Sequence, residues 1–136
     1  PNDPAAVRRV TLDSSTEAAA VHRLYDAAFS RDPDTARLTH WTKMLKGGES
    51  LSSVAEMFAG SPEFTRGQAL SDDTFVARVY ENAFGRSAEP AGLAGWVKAM
   101  GEGKSRGEVL TAIAESAEHI PLTGNVTDDG VWLMVA

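Results

Sequence analysis

The residues with the clearest capacity to bind a ligand are an arginine and a glutamate that recur together in two parts of the chain. They are Arg31 with Glu63 and Arg86 with Glu118, at the same separation. A guanidinium presents a planar fork of donors that matches a carboxylate or a sulfate, so each arginine could bind an anionic ligand. Each could instead form a structural ion pair with its glutamate, and breaking such a pair costs about 3–5 kcal/mol if it is buried. We predict structural ion pairs and keep ligand binding as the alternative.

Two tryptophans, Trp41 and Trp96, lie on the apolar faces of predicted helices. Aromatic residues at helical spacing are most often part of a core. A partly open tryptophan could instead form a platform for sugar, because a flat aromatic face packs against sugar C–H groups and tolerates a polar rim. Arg37 and His40 share the predicted helix of Trp41. The predicted ligand-binding residues are therefore Trp41, Trp96, Arg31, Arg86, Arg37 and His40.

The remaining polar residues lack the spacing of a metal site or a catalytic centre. Asp32 and Asp34 are too few for calcium, which takes six to eight oxygen ligands, and Asp34 is placed to cap the second helix. Residues 127–130 have the composition of a turn. No nucleophile elbow, phosphate-binding loop or metalloprotease motif occurs, and zinc-ligand spacing is absent among His22, His40 and His119. We therefore expect no catalytic residue, no metal and no cofactor.

The chain contains two copies of one unit. Residues 21–64 align with residues 76–119 without a gap at an offset of 55, and 16 of the 44 aligned positions are identical. So many identities at one constant offset indicate an internal duplication. Large side chains are prominent among the identical pairs, which include Tyr25 and Tyr80, Phe29 and Phe84, Arg31 and Arg86, Leu38 and Leu93, Trp41 and Trp96, Ser50 and Ser105, Val54 and Val109, Ser61 and Ser116, and Glu63 and Glu118.

Apolar residues recur at intervals of three and four in three stretches of each copy, which predicts three helices per copy and six core helices in all. Three short helices would leave apolar faces open, so the two copies must pack on each other. We therefore predict an all-α fold, a pseudo-two-fold bundle of two three-helix repeats with a docked C-terminal tail. The repeats are residues 16–70 and 71–125 of a single domain, 16–136, and residues 1–15 form an N-terminal extension. Trp132 is predicted to hold the tail against the bundle.

Serine and proline residues mark the expected helix ends. A Ser-x-x-Glu motif, in which the serine and glutamate side chains satisfy free backbone amides, begins at Ser14 and again at Ser105. Ser50 and Ser71 are predicted caps as well. Pro33 is predicted to end the first helix, because proline removes a backbone donor and clashes with the preceding turn.

The composition excludes several classes of function. A net charge of −6 argues against non-specific binding of nucleic acid, which depends on clustered Lys and Arg. No apolar run approaches the ~20 residues of a membrane-spanning helix. Cysteine is absent, which excludes disulfides and thiolate metal sites. The first residues, Pro-Asn-Asp-Pro, predict a mature segment or a piece of a longer protein.

Motifs at fixed spacing in both copies carry a family resemblance. The pattern, which runs from about Val21 to the tail, resembles domain of unknown function 4214 and is more distantly similar to phycobilisome linker domains. The sequence departs from the family pattern at Arg37, where glycine is preferred, at residues 87–90, which replace an Asp-Pro-Asp turn, and at His119, which replaces an aromatic residue. The motifs of the first copy are Leu24-Tyr25-x-x-x-Phe29-x-Arg31-Asp32-Pro33-Asp34, Leu38-x-x-Trp41 and Ser61-x-Glu63-Phe64, and those of the second are Val79-Tyr80-x-Asn82-x-Phe84-Gly85-Arg86, Ala91-Gly92-Leu93-x-x-Trp96 and Ser116-x-Glu118.

The resemblance implies an extracellular or cell-surface location and a non-catalytic role. Members of the first family typically accompany haemolysin-type calcium-binding repeats or surface-layer modules in large secreted bacterial proteins. Phycobilisome linkers hold pigment-protein rods together. Both relatives therefore connect or assemble other proteins.

These observations predict a non-catalytic binding module of a secreted or surface bacterial protein, which binds carbohydrate or a cell-surface polymer. The alternative is an assembly or linker module of a surface layer or a larger secreted complex. The expected partners are a glycan or surface polymer and other domains of the same secreted protein, without nucleic acid and without membrane insertion. Since the residues shared by the two copies are explained first as architecture, ligand contacts are expected where the copies differ.

Overall fold

The computed structural model describes residues 10–13, 16–116, 118–127 and 131–134. The fold is helical and has two related halves, as predicted. Helices α1 to α3 and α5 to α7 are the six predicted core helices. In chain order the elements are β1 (Val10–Asp13), α1 (Thr16–Phe29), α2 (Thr35–Lys46), α3 (Leu51–Ala59), α4 (Pro62–Thr65), α5 (Asp72–Phe84), α6 (Pro90–Gly101), α7 (Arg106–Ala114), α8 (Ile120–Thr127) and β2 (Val131–Met134).

Two helices, α4 and α8, were not predicted. The single turn of α4 begins at Ser61, whose hydroxyl accepts a hydrogen bond from the backbone N–H of Phe64 at 3.3 Å. Pro62 suits the first position of this helix because a backbone donor is not needed there. In α8, Pro121 is the second residue and suits the first turn, but Gly124 lies in the interior, where glycine disfavours a helix when only the sequence is considered.

The serine caps form at the predicted helix starts within the described residues. Ser50, Ser71 and Ser105 each accept a hydrogen bond from the backbone N–H three residues later. At α7 the capping is reciprocal, since Glu108 Oε1 accepts from the backbone N–H of Ser105 at 2.9 Å, and this hydrogen bond lowers the pKa of Glu108. Ser14 lies outside the described residues.

Helices α1 and α5 end at equivalent residues in the left-handed conformation. Ser30 has a φ of 57° and Gly85 a φ of 68°, so α1 ends before Pro33 is reached. Glycine adopts this conformation without the steric cost that a side chain brings.

Ser30→Gly should therefore raise the free energy of unfolding by about 0.5–1 kcal/mol. Glycine removes roughly 1–2 kcal/mol of strain from the left-handed conformation of the folded state. This gain exceeds the loss of stability that glycine causes by raising the entropy of the unfolded chain. Urea denaturation of Ser30→Gly and of the reciprocal Gly85→Ser measures the effect. The two variants should shift in opposite directions, and a shared direction would contradict the explanation.

The two copies share one core. Equivalent helices pair with each other, α1 with α5 and α3 with α7. Two copies that pair their equivalent helices in this way are related by a pseudo-two-fold axis. Most of the large buried side chains of both copies belong to one cluster, which includes Leu24, Tyr25, Val54, Phe58, Phe75, Val79, Val109, Leu110 and Ile113.

Polar contacts also cross between the copies. Arg23 of α1 donates from Nη2 to Glu115 Oε1 at 2.8 Å, and its equivalent Arg78 of α5 donates from Nη1 to the carbonyl oxygen of Phe64 at 2.8 Å. Each arginine thus binds the end of the other copy. This explains why the arginine is identical in both copies although it has no role in either apolar face.

Helices α3 and α7 of the two copies approach each other closely at Gly107 in α7. A Cβ atom at Gly107 would lie 2.5 Å from the carbonyl oxygen of Ser52 and 2.5 Å from Cγ of Glu56, both in α3. The backbone N–H of Gly107 donates to the carboxylate of Glu56. Since Ser52 is the residue equivalent to Gly107 in the first copy, this contact lies close to the pseudo-two-fold axis, where two helix backbones come together.

The two ends of the described chain form an antiparallel ribbon. Strand β1 pairs with β2, with Val10 opposite Met134 and Asp13 opposite Val131, and β2 contacts α2. The tail therefore docks on the first repeat together with part of residues 1–15, the predicted extension. The side chain of Trp132, predicted to hold the tail, lies outside the described part of the structure.

Candidate functional site

Aromatic side chains from three helices of the first copy meet beside the end of α1. Tyr25 and Phe29 lie one turn apart on α1, with ring centroids 4.7 Å apart. Phe58 of α3 packs edge-on against Tyr25 at 5.6 Å and against Trp41 of α2 at 5.1 Å. Tyr25 and Phe58 are buried, whereas Phe29 and Trp41 are only partly buried. The cluster is thus closed on the core side and open at Trp41.

The open side of this cluster is a cleft of about 290 Å³, close to the lower limit of roughly 300–1,000 Å³ for small-molecule sites. We call it the aromatic cleft. Its walls are mainly apolar, and its polar groups lie on side chains from α2 and from the start of α4. The residues that line it are Tyr25, Phe29, Arg37, Trp41, Met57, Phe58, Ser61, Pro62 and Glu63.

The predicted pair of Arg31 and Glu63 lies at the edge of the aromatic cleft. Nε and Nη2 of Arg31 each donate to one carboxylate oxygen of Glu63 at 2.8 Å. The guanidinium also lies over the ring of Tyr25, 4.9 Å from its centroid. The hydrogen bond to Glu63 raises the pKa of Arg31. Because the side chains are 43% and 44% exposed, the cost of breaking a buried pair does not apply, and a surface pair contributes little to stability.

The second copy repeats this arrangement and extends it. Nη2 of Arg86 lies 2.7 Å from Glu118 Oε2, and its Nη1 donates to Glu89 Oε1 at 2.9 Å. The Arg86 guanidinium lies 5.5 Å from the ring centroid of Tyr80 and 5.3 Å from that of Phe84. Both predicted pairs therefore join the end of the first helix of a copy to the segment that follows its third.

Arg37 lines the aromatic cleft and is held by the residue that caps α2. Oδ1 of Asp34 accepts from the backbone N–H of Arg37 at 2.7 Å, and Oδ2 accepts from Nη1 of Arg37 at 3.0 Å. His40 lies beside Trp41, with ring centroids 4.8 Å apart, but it is not among the residues that line the cleft. Of the predicted ligand-binding residues, Trp41 and Arg37 thus share the cleft and Arg31 borders it.

The two tryptophans differ in their hydrogen bonds. Nε1 of Trp96 donates to the hydroxyl of Tyr80 at 3.1 Å, and Gly92 stands next to that hydroxyl, which a Cβ at Gly92 would meet at 3.5 Å. For Nε1 of Trp41, by contrast, residues 16–116 and 118–123 provide no acceptor within hydrogen-bond distance. Among these residues, the indole N–H of Trp41 therefore has no partner and retains its capacity to donate.

The residues that line the aromatic cleft are only partly the same in the second copy. Five of its nine lining positions carry the same residue in the second copy, and four do not. The two side chains that differ most in reach are Arg37, replaced by Gly92, and Met57, replaced by Ala112. Met57 is 44% exposed, so the apolar surface and the guanidinium that this cleft presents to solvent are particular to the first copy.

His119 is a residue that the sequence suggested only as a departure from the family pattern. It is fully buried, with Nδ1 2.7 Å from the carbonyl oxygen of Ala114 and Nε2 2.8 Å from Oδ2 of Asp26. The carbonyl oxygen of Ala114 can only accept, so Nδ1 donates to it, and Nε2 faces the carboxylate of Asp26. The ring therefore ties the second copy to α1. The only sequence signal is that Phe64 at the equivalent position is apolar and buried.

A second buried histidine, His22, gives the fold a dependence on pH. Burial lowers the pKa of His22 below its ordinary value of 6.5, against the opposing effect of Asp32, whose Oδ1 lies 3.4 Å from Nε2. The unfolded chain therefore takes up this proton first as the pH falls. The contribution of neutral His22 to stability is complete above pH 6.5 and decreases as the pH falls from 6.5 through the lower pKa of the folded state.

Replacing His22 should therefore flatten the pH dependence of stability. Between about pH 7 and pH 5 the free energy of unfolding of the wild type should fall more steeply than that of His22→Gln. Urea denaturation across this range measures both slopes, with His40→Gln, at an exposed histidine, as the matched control. Equal slopes for wild type and His22→Gln would show that His22 is not the titrating group.

Within the described residues, no three histidine, cysteine or acidic side chains come together as a metal site would require. Asp34 is engaged as the cap of α2, and Asp32 lies beside His22. Residues 128–130, part of the predicted turn, lie outside the described residues.

A larger groove, of about 560 Å³, lies where the two copies meet. Three of its four charged lining residues already bind the protein itself, and the fourth, Lys104, is exposed. Arg106 donates to the carbonyl oxygen of Leu70 and to Asp72 Oδ1, and the carboxylate of Glu56 accepts from Gly107. We favour the smaller aromatic cleft as the candidate site because its aromatic walls and the indole N–H of Trp41 are not used in this way.

Comparison with known proteins supports one relationship. The family described as Domain of unknown function (DUF4214) matches residues 10–67 and again residues 55–123, so each repeat matches it separately. Neither the curated proteins nor the solved structures contain a significant match. None of the helices in the described part of the chain is long and apolar enough to cross a membrane. With two matches that together cover most of its length, the chain belongs to the DUF4214 family.

Proposed function

We propose that the chain is a non-catalytic binding module of a secreted or surface bacterial protein, and that it binds carbohydrate or a cell-surface polymer in the aromatic cleft. The observation that carries the proposal is the combination of a partly open Trp41, the exposed residue Met57 and a rim of paired charges. Sugar rings present apolar C–H faces and polar edges, so they need an aromatic wall beside groups that donate and accept hydrogen bonds. A cleft of this size would hold a chain end or a short segment of polymer.

The differences between the copies support the first repeat as the ligand site. The second copy has glycine at the position of Arg37 and alanine at that of Met57, and the N–H of Trp96 is already bound to Tyr80. Shared residues such as Arg31 and Glu63 are accounted for by architecture. The residues that remain for a ligand are those found only in the first copy, together with the free edge of Trp41.

A glycan array probed with the 136-residue chain tests the proposal. We expect a restricted set of glycans to bind, and we expect binding to weaken in Arg37→Gln. Lys43→Gln is the matched control, because it removes the same charge from an exposed position of the same helix outside the aromatic cleft. Binding to no glycan, or equal loss of binding in both variants, would contradict the proposal.

A second candidate function is protein assembly, which one observation favours. Ile120 and Leu122, at the start of α8, are 39% and 61% exposed, and exposed apolar surface of this kind is what a protein partner would cover. Other domains of the same secreted protein would then be the partners. Sedimentation velocity over a range of concentrations measures self-association. Self-association that Leu122→Ser removes, together with an empty glycan array, would favour assembly over carbohydrate binding.

A further inference from the structure

The charges around the aromatic cleft are already neutralised by the protein. Arg31 uses Nε and Nη2 in its two contacts of 2.8 Å with Glu63, and Arg37 contacts Asp34 at 3.0 Å. Two cations and two carboxylates therefore border the cleft, so their formal charges cancel. Among the described side chains that line or border it, each cation has a carboxylate partner.

An acidic ligand would meet an unfavourable arrangement here. Its carboxylate would approach Asp34 and Glu63 as well as the arginines that they neutralise, and like charges brought together at a binding site weaken the complex. A hydroxyl group both donates and accepts hydrogen bonds. A pair of neighbouring hydroxyls can therefore bind to a guanidinium and its carboxylate together without breaking the ion pair.

The indole of Trp41 adds a neutral donor. Its N–H has no acceptor within the described side chains, whereas that of Trp96 donates to Tyr80. A sugar hydroxyl or ring oxygen can accept this hydrogen bond. The exposed residue Met57 offers an uncharged surface on the same cleft.

From this arrangement we infer that the ligand is a neutral hexose chain rather than a chain of uronic acids. The inference rests on the proposed function, and it specifies the class of sugar. Arg37 with Asp34 binds a pair of hydroxyls, and Trp41 supplies both the stacking face and a donor.

Matched oligosaccharides test the inference directly. The probes are six-unit oligomers of glucose, mannose and galactose, and those of glucuronate, mannuronate and galacturonate, because each pair differs in a hydroxymethyl group against a carboxylate. Isothermal titration of the 136-residue chain should give at least one neutral oligomer a Kd about tenfold or more below that of its acidic counterpart.

The variant Asp34→Asn removes a negative charge from the edge of the cleft with little change in the shape of the side chain. Asparagine caps a helix as well as aspartate does, so α2 should persist, while Arg37 loses its neutralising partner. We expect the preference for the neutral oligomer to shrink by about threefold or more, because the freed guanidinium attracts the carboxylate. Circular dichroism verifies that the helices remain.

Each result leads to a distinct conclusion. Tighter binding of an acidic oligomer by the wild type would overturn the inference and leave the proposed function standing. A preference that is unchanged in Asp34→Asn would overturn the role given to the paired charges. No binding of any of the six oligomers to the wild type, and none on the glycan array, would overturn the proposed function and the inference with it.

Discussion

Gly107→Ala should lower the free energy of unfolding by about 1–3 kcal/mol, the range typical of overpacking in a closely packed interior. The added methyl would lie 2.5 Å from the carbonyl oxygen of Ser52. The side chain of Glu56 can move away from it, but the backbone of α3 cannot move without separating the two copies. Alanine favours a helix over glycine by up to about 1 kcal/mol, so the clash must outweigh a favourable effect, and we expect that it does.

The matched control is Gly95→Ala in α6. Gly95 is exposed, lies within its helix and has open space where a Cβ would be placed. The same substitution should there raise the free energy of unfolding by about 0.5–1 kcal/mol. Urea denaturation of the two variants measures both effects. If Gly107→Ala were as stable as Gly95→Ala, the close packing of α3 on α7 would not be what joins the repeats.

Trp41→Leu should weaken ligand binding by about 2 kcal/mol, or roughly thirtyfold, as expected when a central aromatic contact is removed. Leucine retains apolar contact with Phe58 but removes both the flat face and the free N–H. The fold should persist, because Trp41 is only partly buried.

The equivalent change in the second copy should reduce stability and leave ligand binding almost unchanged. Trp96→Leu removes the hydrogen bond to Tyr80 and should lower the free energy of unfolding by about 1–2 kcal/mol, while affinity for the ligand remains within about twofold of the wild type. Thermal melting and isothermal titration of both variants separate stability from binding. Equal losses of affinity in the two variants would place ligand in both copies and contradict the single-site account.

The fold could be predicted from the sequence because the duplication repeats every important signal. Tyr25, Trp41 and the capping residue Ser50 recur at one offset, and independent signals that agree leave few alternatives. The ribbon at the chain ends was only half predicted. Residues 131–134 belong to the tail that was predicted to dock. Val10–Asp13 forms a strand only because it pairs with that distant segment, and the local sequence does not reveal its partner.

The candidate site was less accessible to sequence reasoning. Trp41 and Arg37 are on one helix and were found together, but Met57 reaches the aromatic cleft from α3, and its place there depends on how α2 and α3 cross. The same limit applies to Trp96, whose bond to Tyr80 depends on the packing of α6 against α5. His119 shows a third limit, since a histidine in an apolar position gives no indication that its ring will meet Asp26.

Fluorescence of single-tryptophan variants tests the central claim, that the cleft of the first copy binds ligand. The variant Trp96→Phe/Trp132→Phe keeps only Trp41, and Trp41→Phe/Trp132→Phe keeps only Trp96. Each is titrated with the oligosaccharide that binds the wild type most tightly. The account predicts a saturable change in emission from Trp41 at the Kd found by calorimetry, and none from Trp96. A change confined to Trp96, or no change from Trp41 while calorimetry still detects binding by that variant, would contradict it.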